Sequence, residues 1–142
     1  MRKWNIPLTY QPKIEPVRRG DCHQTIRPGR KFSVGDLVRF YIWSGKPYRS
    51  KRETITEYLP LTTVLDMGIH GDIVWIEDPS MGVVKFFGEI SKKGRWYSWE
   101  DLDWLAELDY IIPPTGETLL NVLIQKNGKI PDKGIDMQII RW

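Results

Sequence analysis

The clearest pattern in this chain is the alternation of apolar and mixed positions between Leu37 and Trp43. Successive side chains of a strand point to opposite sides of a sheet, so this segment is expected to have two different faces. One face is apolar and consists of Val38, Phe40 and Ile42, and the other is mixed and consists of Leu37, Arg39, Tyr41 and Trp43. An apolar face opposite a mixed face is typical of a barrel wall.

Weaker patterns predict the other elements. Further strands are expected at residues 5–10, 24–27, 61–69, 72–77, 83–90 and in the terminal MQIIRW, with a hairpin between the fourth and fifth of them. Two prolines limit residues 11–22 to a turn or one short helix. Ser98-Trp99-Glu100-Asp101 provides a cap and first-turn acids for a helix through Leu108, and a second helix is expected over Thr115–Gln125.

This order of elements predicts one α+β domain over residues 1–142. We expect a small, mostly antiparallel pseudo β-barrel with two or three short helices. The hydrophobic content of 41% and charged content of 27% are ordinary for a soluble globular protein. The longest apolar runs are too short to cross a bilayer, and MRKWNIPLTY has no apolar segment typical of a signal peptide. We therefore expect a cytoplasmic protein without membrane contact, with a monomer as the simplest state.

Cysteine and histidine offer little chemistry. Cys22 is the only cysteine, which excludes an internal disulfide and a thiolate zinc cluster. His23 and His70 are too far apart in sequence to form a metal-binding motif, so no metal and no cofactor are expected. Cys22 and His23 would point to opposite faces of a strand, and a buried thiol is therefore favoured over a Cys–His nucleophile.

The charge is distributed unevenly along the chain. Residues 13–52 contain eleven Lys or Arg against three Asp or Glu, a local balance of +8, although the net charge is only +3. One strongly basic face would attract a polyanion such as nucleic acid. The structural alternative is that these bases are solvated, or balance acids elsewhere in the fold.

The basic segment also contains aromatic residues. Trp43, one of seven tryptophans, leads directly into the loop SGKPYRSKR at residues 44–52. Arginine can grip a phosphate or stack on a base, and Tyr48 or Trp43 could stack on an unpaired base. This mixture suits single-stranded or flipped nucleotides better than a regular duplex.

Several motifs, taken in order, resemble the ASCH domain family of the PUA-like superfamily. They are Gln24-Thr25-Ile26-Arg27, the strand introduced by Val34-Gly35-Asp36, the helix opening Ser98-Trp99-Glu100-Asp101 and the terminal QIIRW, so the resemblance spans essentially the whole chain. It implies a role in RNA binding, in a cleft beside the barrel. The implied floor of the cleft is Thr25 and Arg27, with Arg30 and Lys31 beside it. The implied wall is Lys46, Tyr48, Arg49, Lys51 and Arg52.

One branch of that family hydrolyses N4-acetylcytidine, and there the resemblance implies a Lys, a Thr and a Glu acting together. Thr25 matches the threonine, but the lysine position is Cys22 and the glutamate aligns near Arg95. An RNA-binding module without catalysis is therefore our first hypothesis. A nucleoside hydrolase with Thr25 as its catalytic residue is the second, and a module that binds an acidic protein is the third. A carboxylate brought to Thr25 from elsewhere, such as Glu53, Glu57 or Glu89, would favour the hydrolase.

The sharpest prediction is that Arg27 faces the ligand cleft and is not a surface base, because its tripeptide lies between a polar strand and a Pro-Gly turn and the resemblance implies that this position lines the cleft. If Arg27 contacts a phosphate in the cleft, Arg27→Ala weakens binding and lowers the salt slope by about one, with little effect on the fold. If Arg27 instead forms a structural ion pair, the substitution lowers the melting temperature and leaves binding unchanged.

Overall fold

The computed structural model describes residues 1–70, 73–78, 83–87, 102–127 and 134–142 of the 142-residue chain. In chain order, its first elements are β1 (Lys3–Pro7), α1 (Gln11–Arg19), β2 (Gln24–Pro28), β3 (Leu37–Trp43), β4 (Arg52–Thr54) and β5 (Leu59–Pro60). They are followed by β6 (Thr63–His70), β7 (Ile73–Asp78), β8 (Val83–Phe87), α2 (Asp103–Leu108), α3 (Gly116–Asn127) and β9 (Ile135–Arg141). The fold is therefore α+β, with mostly antiparallel strands and short helices.

The strands form two sheets. In the first, β3 is central: β1 pairs with it in parallel, and β4 and β5 pair with it in antiparallel. The second sheet has the order β2-β9-β6-β7-β8, and all its pairs are antiparallel. The first sheet thus contains the alternating segment identified in the sequence, and the second contains the TIR tripeptide.

Two hydrophobic cores lie on opposite sides of β9. Ile139 belongs to the core between the second sheet and helices α2 and α3, where Leu102, Leu105 and Ala106 are also buried. Ile140 belongs to the other core, which the first sheet and α1 complete. Because side chains alternate along a strand, consecutive isoleucines reach different cores, and the second sheet is covered on both faces there.

Helix α1 is short for reasons visible in its sequence. Pro12 occupies the first turn, where its missing N–H costs nothing, and Pro16 lies inside the helix. The helix ends at Gly20, which adopts a left-handed conformation (φ 80°) and donates its N–H to the carbonyls of Pro16 and Val17. Ile14 and Val17 pack into the core beneath the first sheet. This short helix also brings Lys13 into the interior.

Most elements expected from the sequence are present. The strand at Leu37–Trp43 has the predicted bounds, and β7 and β8 form the predicted hairpin. The strands β4 and β5 were not predicted, since each is only two or three residues long. The proposed helix start at Ser98–Asp101 lies outside the described residues.

In the described ranges the strands form two separate sheets, so barrel closure stays a prediction. None of the helices in these ranges is long and apolar enough to cross a membrane.

Asp36 explains why a VGD tripeptide introduces β3. Its carboxylate accepts hydrogen bonds from the Arg2 backbone N–H (3.1 Å), the Trp4 indole N–H (3.0 Å) and the Ser33 N–H (3.1 Å). Gly35, with φ 92°, makes the preceding turn in a conformation that favours glycine. Burial by itself would raise the pKa of Asp36, but these hydrogen bonds and the N-terminal ammonium lower it overall. The carboxylate thereby holds β1 against β3.

We predict that Asp36→Asn destabilises the protein by about 1 kcal/mol near pH 7, because hydrogen bonds to a carboxylate are lost. The folded-state pKa of Asp36 is lowered, so its contribution is present above the unfolded pKa of about 4 and disappears as pH falls through the folded value. Urea unfolding of both proteins between pH 2 and 7 should show the difference shrinking below about pH 4. A difference that is constant with pH would contradict this role.

Candidate nucleic-acid interface and buried polar cluster

The outward side of the first sheet combines cations with aromatic rings. We call this surface the aromatic-basic face, and it consists of Lys3, Arg39, Tyr41, Trp43, Tyr48, Arg52 and Tyr58. The sheet register explains the grouping, because directly opposed residues project to the same side. Trp43 is opposite Arg52, Arg39 is opposite Asn5, and Lys3 is opposite Leu37.

At one end of this face, two cations flank a tyrosine ring. The Arg39 guanidinium lies 4.4 Å and the Lys3 ammonium 5.2 Å from the ring centroid of Tyr58. Arg39 Nε also donates a hydrogen bond to Asn5 Oδ1 at 3.1 Å. The arginine is thus oriented by an amide and a ring, with no carboxylate bound to it in the described ranges.

At the other end, Arg52 covers two rings. Its guanidinium lies 4.5 Å from the centroid of Tyr41 and 5.3 Å from that of Trp43. The Trp43 ring meets Tyr41 edge-on at 5.5 Å and Tyr48 at 5.2 Å. Tyr41 is buried, Trp43 is half-buried and Tyr48 is 86% exposed, so the outermost ring is available to a ligand.

The loop between β3 and β4 is held by its own hydrogen bonds. Ser50 Oγ accepts the Gly45 N–H at 2.9 Å and donates to the Lys46 carbonyl at 2.8 Å, and the Ser44 N–H donates to the Lys51 carbonyl at 3.0 Å. Tyr48 has φ 64°, a left-handed conformation uncommon for a tyrosine. This folding of the loop exposes Tyr48 beside three basic residues, which are Lys46, Arg49 and Lys51.

The charges of the loop are uncompensated in the part of the chain that the structure describes. There, Lys46, Arg49, Lys51 and Arg52 form no ion pair. The nearest acid in sequence, Glu53, is opposite Ile42 on the inner side of the sheet, and its carboxylate lies 3.7 Å from Arg18. The loop and the sheet face therefore carry positive charge in contact with solvent.

Arg30 and Lys31 lie elsewhere. Arg30 forms ion pairs with Asp66 (3.0 Å) and Asp136 (3.2 Å) and lies 4.9 Å from the Trp75 ring, over the second sheet. Lys31 lies 5.2 Å from the Trp4 ring. Among the described contacts, none joins either residue to the loop at 44–52. Arg30, which the resemblance implied beside the floor of the cleft, is therefore held over the second sheet by its two acids.

Thr25 and Arg27 are enclosed by the protein itself. The Thr25 side chain is buried. Arg27 as a whole is half-buried, its Nε is buried, and its Nη2 donates to the Pro7 carbonyl. Burial lowers the pKa of Arg27 to about 10, although the nearby Asp109 carboxylate and Tyr41 oppose this decrease. Arg27 Nε has no hydrogen-bond partner among the described residues. Arg27 thus approaches the aromatic-basic face through Tyr41 but is not a free surface base.

Thr25 belongs to a buried polar cluster that the sequence did not reveal. Lys13 Nζ lies 2.6 Å from Asp109 Oδ2 and 3.4 Å from Thr25 Oγ1. The side chains of Lys13 and Asp109 are only 5% and 4% exposed. A lysine and a carboxylate therefore stand beside Thr25, but they come from α1 and from the end of α2.

The carboxylates suggested by the sequence lie elsewhere or outside the described residues. Glu53 pairs with Arg18, and Glu57 lines a separate cleft beside Arg18 and Arg19. Glu89 and Arg95 are outside the described ranges. Cys22 is fully buried, and burial raises the pKa of its thiol, as expected for a structural cysteine. No cluster of metal-ligating side chains occurs in the described part of the chain.

Sequence reasoning missed Arg39, Tyr58, Lys13 and Asp109 as site residues. Arg39 could have been included, because it shares the mixed face of β3 with Tyr41 and Trp43. The sequence indicates the burial of Lys13 only weakly, through its position next to Ile14 on the buried side of a short helix. Asp109 gives no sequence signal, because its role depends on where α2 ends in space.

Comparison with known proteins identifies no relative: no family model matches the chain, and no curated protein or solved structure matches it. The resemblance to the ASCH family therefore stays a prediction, and the function has to be argued from the residues themselves.

We predict that Lys13→Met destabilises the protein by about 3–5 kcal/mol, because it leaves the Asp109 carboxylate buried without its cation. The double variant Lys13→Met/Asp109→Leu should recover a large part of this loss, since replacing both partners removes the uncompensated charge. Chemical denaturation of the wild type, both single variants and the double variant measures the coupling. Additive losses would show that the two side chains do not stabilise each other.

Proposed function

We propose that this protein binds single-stranded nucleic acid, RNA in particular, across the aromatic-basic face and the loop at 44–52. The observation that carries the proposal is the placement of Arg39 and Arg52 on aromatic rings, next to loop cations without an acidic partner in the described ranges. A PUA-like pseudo-barrel belongs to the same proposal, because it would provide such an exposed sheet beside a basic loop.

Two types of contact would contribute to binding. Tyr48 and Trp43 offer ring surfaces on which unpaired bases can stack, and such stacking contributes about 1–3 kcal/mol per base. Lys46, Arg49 and Lys51 can neutralise phosphates and release counterions, which gives affinity without sequence preference. Bases within a duplex are already stacked on one another, so the combination favours single strands.

We expect Trp43→Ala to weaken binding of a fluorescein-labelled single-stranded RNA about 5- to 150-fold, corresponding to the loss of one stacked base. Trp43→Phe should retain most of the affinity. Arg52→Gln should lower the slope of log K against log salt by about 0.7, as expected for one phosphate contact with a single strand.

Fluorescence anisotropy at several salt concentrations measures both effects. Arg19→Gln is the matched control, because Arg19 is exposed but already pairs with Asp21 at 3.0 Å. A protein that binds neither RNA nor single-stranded DNA at low salt would contradict the proposal. Binding of an acidic peptide by a protein that does not bind RNA would instead favour a protein partner.

The variant Arg27→Ala distinguishes a structural role of Arg27 from the direct phosphate contact that the sequence predicted. The bond to the Pro7 carbonyl and the proximity of Asp109 favour a structural role, with a stability loss of about 1–3 kcal/mol. Binding and melting temperature should be measured on the same sample. A lower affinity at unchanged stability would instead support a direct phosphate contact.

The buried cluster favours a second candidate function, hydrolysis of an N-acylated nucleoside or small amide. Here Thr25 Oγ would attack the acyl carbon while its proton passes through Lys13 to the Asp109 carboxylate. The C–N bond would then break, the leaving nitrogen would take up that proton, and water would release the acid from Thr25. Because Thr25 is buried, substrate could enter only if the elements around the cluster move apart.

Incubation with N4-acetylcytidine, followed by mass spectrometry, tests this second function. It predicts release of cytidine and acetate, abolished in Thr25→Ala and partly retained in Thr25→Ser, which keeps the hydroxyl. Turnover that persists in Thr25→Ala, or no turnover by the folded wild type over acetylated nucleosides and simple amides, would exclude Thr25 as a nucleophile.

A further inference from the structure

A cleft of about 470 Å³ lies beside the N-terminal end of β2, on the side opposite Thr25. It is formed by the start of β2, the end of α2 and residues 110–114, and Arg141 of β9 is part of its lining. We call it the Arg141 cleft. Its volume is in the range of about 300–1,000 Å³ found for small-molecule sites.

Arg141 is held in place by Gln24, its partner in the sheet register. Arg141 Nε donates to Gln24 Oε1 at 2.8 Å, and Gln24 Nε2 donates in turn to the Leu105 carbonyl at 3.3 Å. Gln24 is 2% exposed, so this supporting side chain is buried. The hydrogen bond to Gln24 thereby fixes the orientation of the Arg141 guanidinium before a ligand binds.

Part of the hydrogen-bonding capacity of this guanidinium is not used by the described residues. Arg141 Nη2 is buried and has no hydrogen-bond partner there, and Arg141 forms no ion pair within these ranges. Partial burial desolvates the charge of Arg141 and thereby lowers its pKa. A half-buried cation without a counter-charge in these ranges favours binding of an anion, because hydrogen bonds between a guanidinium and a carboxylate are charge-assisted.

The surroundings of the cleft are unusually apolar for an exposed surface. Leu108 and Ile112, which line it, are 45% and 67% exposed, and Trp104, whose ring lies 5.8 Å from the Arg141 guanidinium, is 46% exposed. Large apolar side chains exposed together mark a binding surface more often than isolated ones do. A ligand with an apolar body would cover them.

Two carboxylates narrow the choice of ligand. Asp21 and Glu107 also line the cleft, and they would repel a polyanion such as nucleic acid. A single carboxylate that reaches Arg141 avoids most of this repulsion. We propose that the Arg141 cleft binds a small organic monocarboxylate with an aromatic or branched apolar body. This site is separate from the aromatic-basic face and does not depend on the proposed nucleic-acid binding.

The proposal is tested with indole-3-acetate and phenylacetate and, as matched neutral probes, their amides. Saturation-transfer NMR and titration calorimetry should show binding of the acids with Kd on the order of 0.1–1 mM, and amides should bind about tenfold more weakly. Arg141→Met keeps the apolar stem and should abolish the preference for acids. Arg49→Gln, in the loop of the aromatic-basic face, should leave it unchanged.

A second variant covers the case in which Arg141→Met fails to fold. Ile112→Asp changes an exposed residue at the cleft and should abolish acid binding by repulsion while leaving the melting temperature unchanged. Equal binding of acids and amides, no binding of any probe, or an acid preference that survives in Ile112→Asp or in folded Arg141→Met would overturn the proposal. RNA binding, measured on the same samples, tests the aromatic-basic face independently of acid binding in the cleft.

Discussion

The structure depends on one strand that is buried on both of its faces. Met137, Gln138, Ile139 and Ile140 of β9 are all buried, and the two isoleucines enter different cores. A strand in this position must be apolar on both sides or find partners for every polar group. Gln138 satisfies this requirement by accepting the Phe32 N–H at 2.8 Å and donating to the Phe32 carbonyl at 3.1 Å. The buried part of β9 therefore accommodates one polar side chain.

The same constraint explains both polar sites beside β2, which pairs with β9. Thr25 accepts a hydrogen bond from Lys13, which pairs with Asp109. Gln24 holds Arg141 and also donates to the same Asp109 carboxylate at 3.5 Å. Lys13, Gln24, Thr25 and Asp109 are buried, whereas Arg141 is half-buried and lines the cleft. Burial of a charged or polar group costs free energy unless it is paired, and such pairing fixes positions closely. The two sites are thus connected through the Asp109 carboxylate, which both Lys13 and Gln24 contact.

The basic residues of the first third of the chain divide into two groups in space. Lys13, Arg27 and Arg30 are held by internal partners, which are Asp109, the Pro7 carbonyl and the pair Asp66 and Asp136. Arg18 and Arg19 likewise pair with acids near α1, and Lys31 lies over the Trp4 ring. The second group lies around the loop at 44–52 and on the outward side of the first sheet, and consists of Lys3, Arg39, Lys46, Arg49, Lys51 and Arg52. The excess of basic residues in the sequence therefore indicated a basic face. Which of these residues form that face depends on the fold.

The sequence by itself determined the local elements. The alternation between Leu37 and Trp43 defined β3, and the turn residues at 78–82 indicated the hairpin, because both signals depend only on neighbours in the chain. It also indicated Trp43, Tyr48 and Arg52 as members of one site, since the strand and its following loop are contiguous. Tertiary structure alone decided that the strands form two sheets, that Thr25 is buried and that Asp109 reaches Lys13, 96 residues away in sequence. Those contacts depend on how the layers pack, and a sequence pattern of a few residues contains no information about the elements that will lie against it.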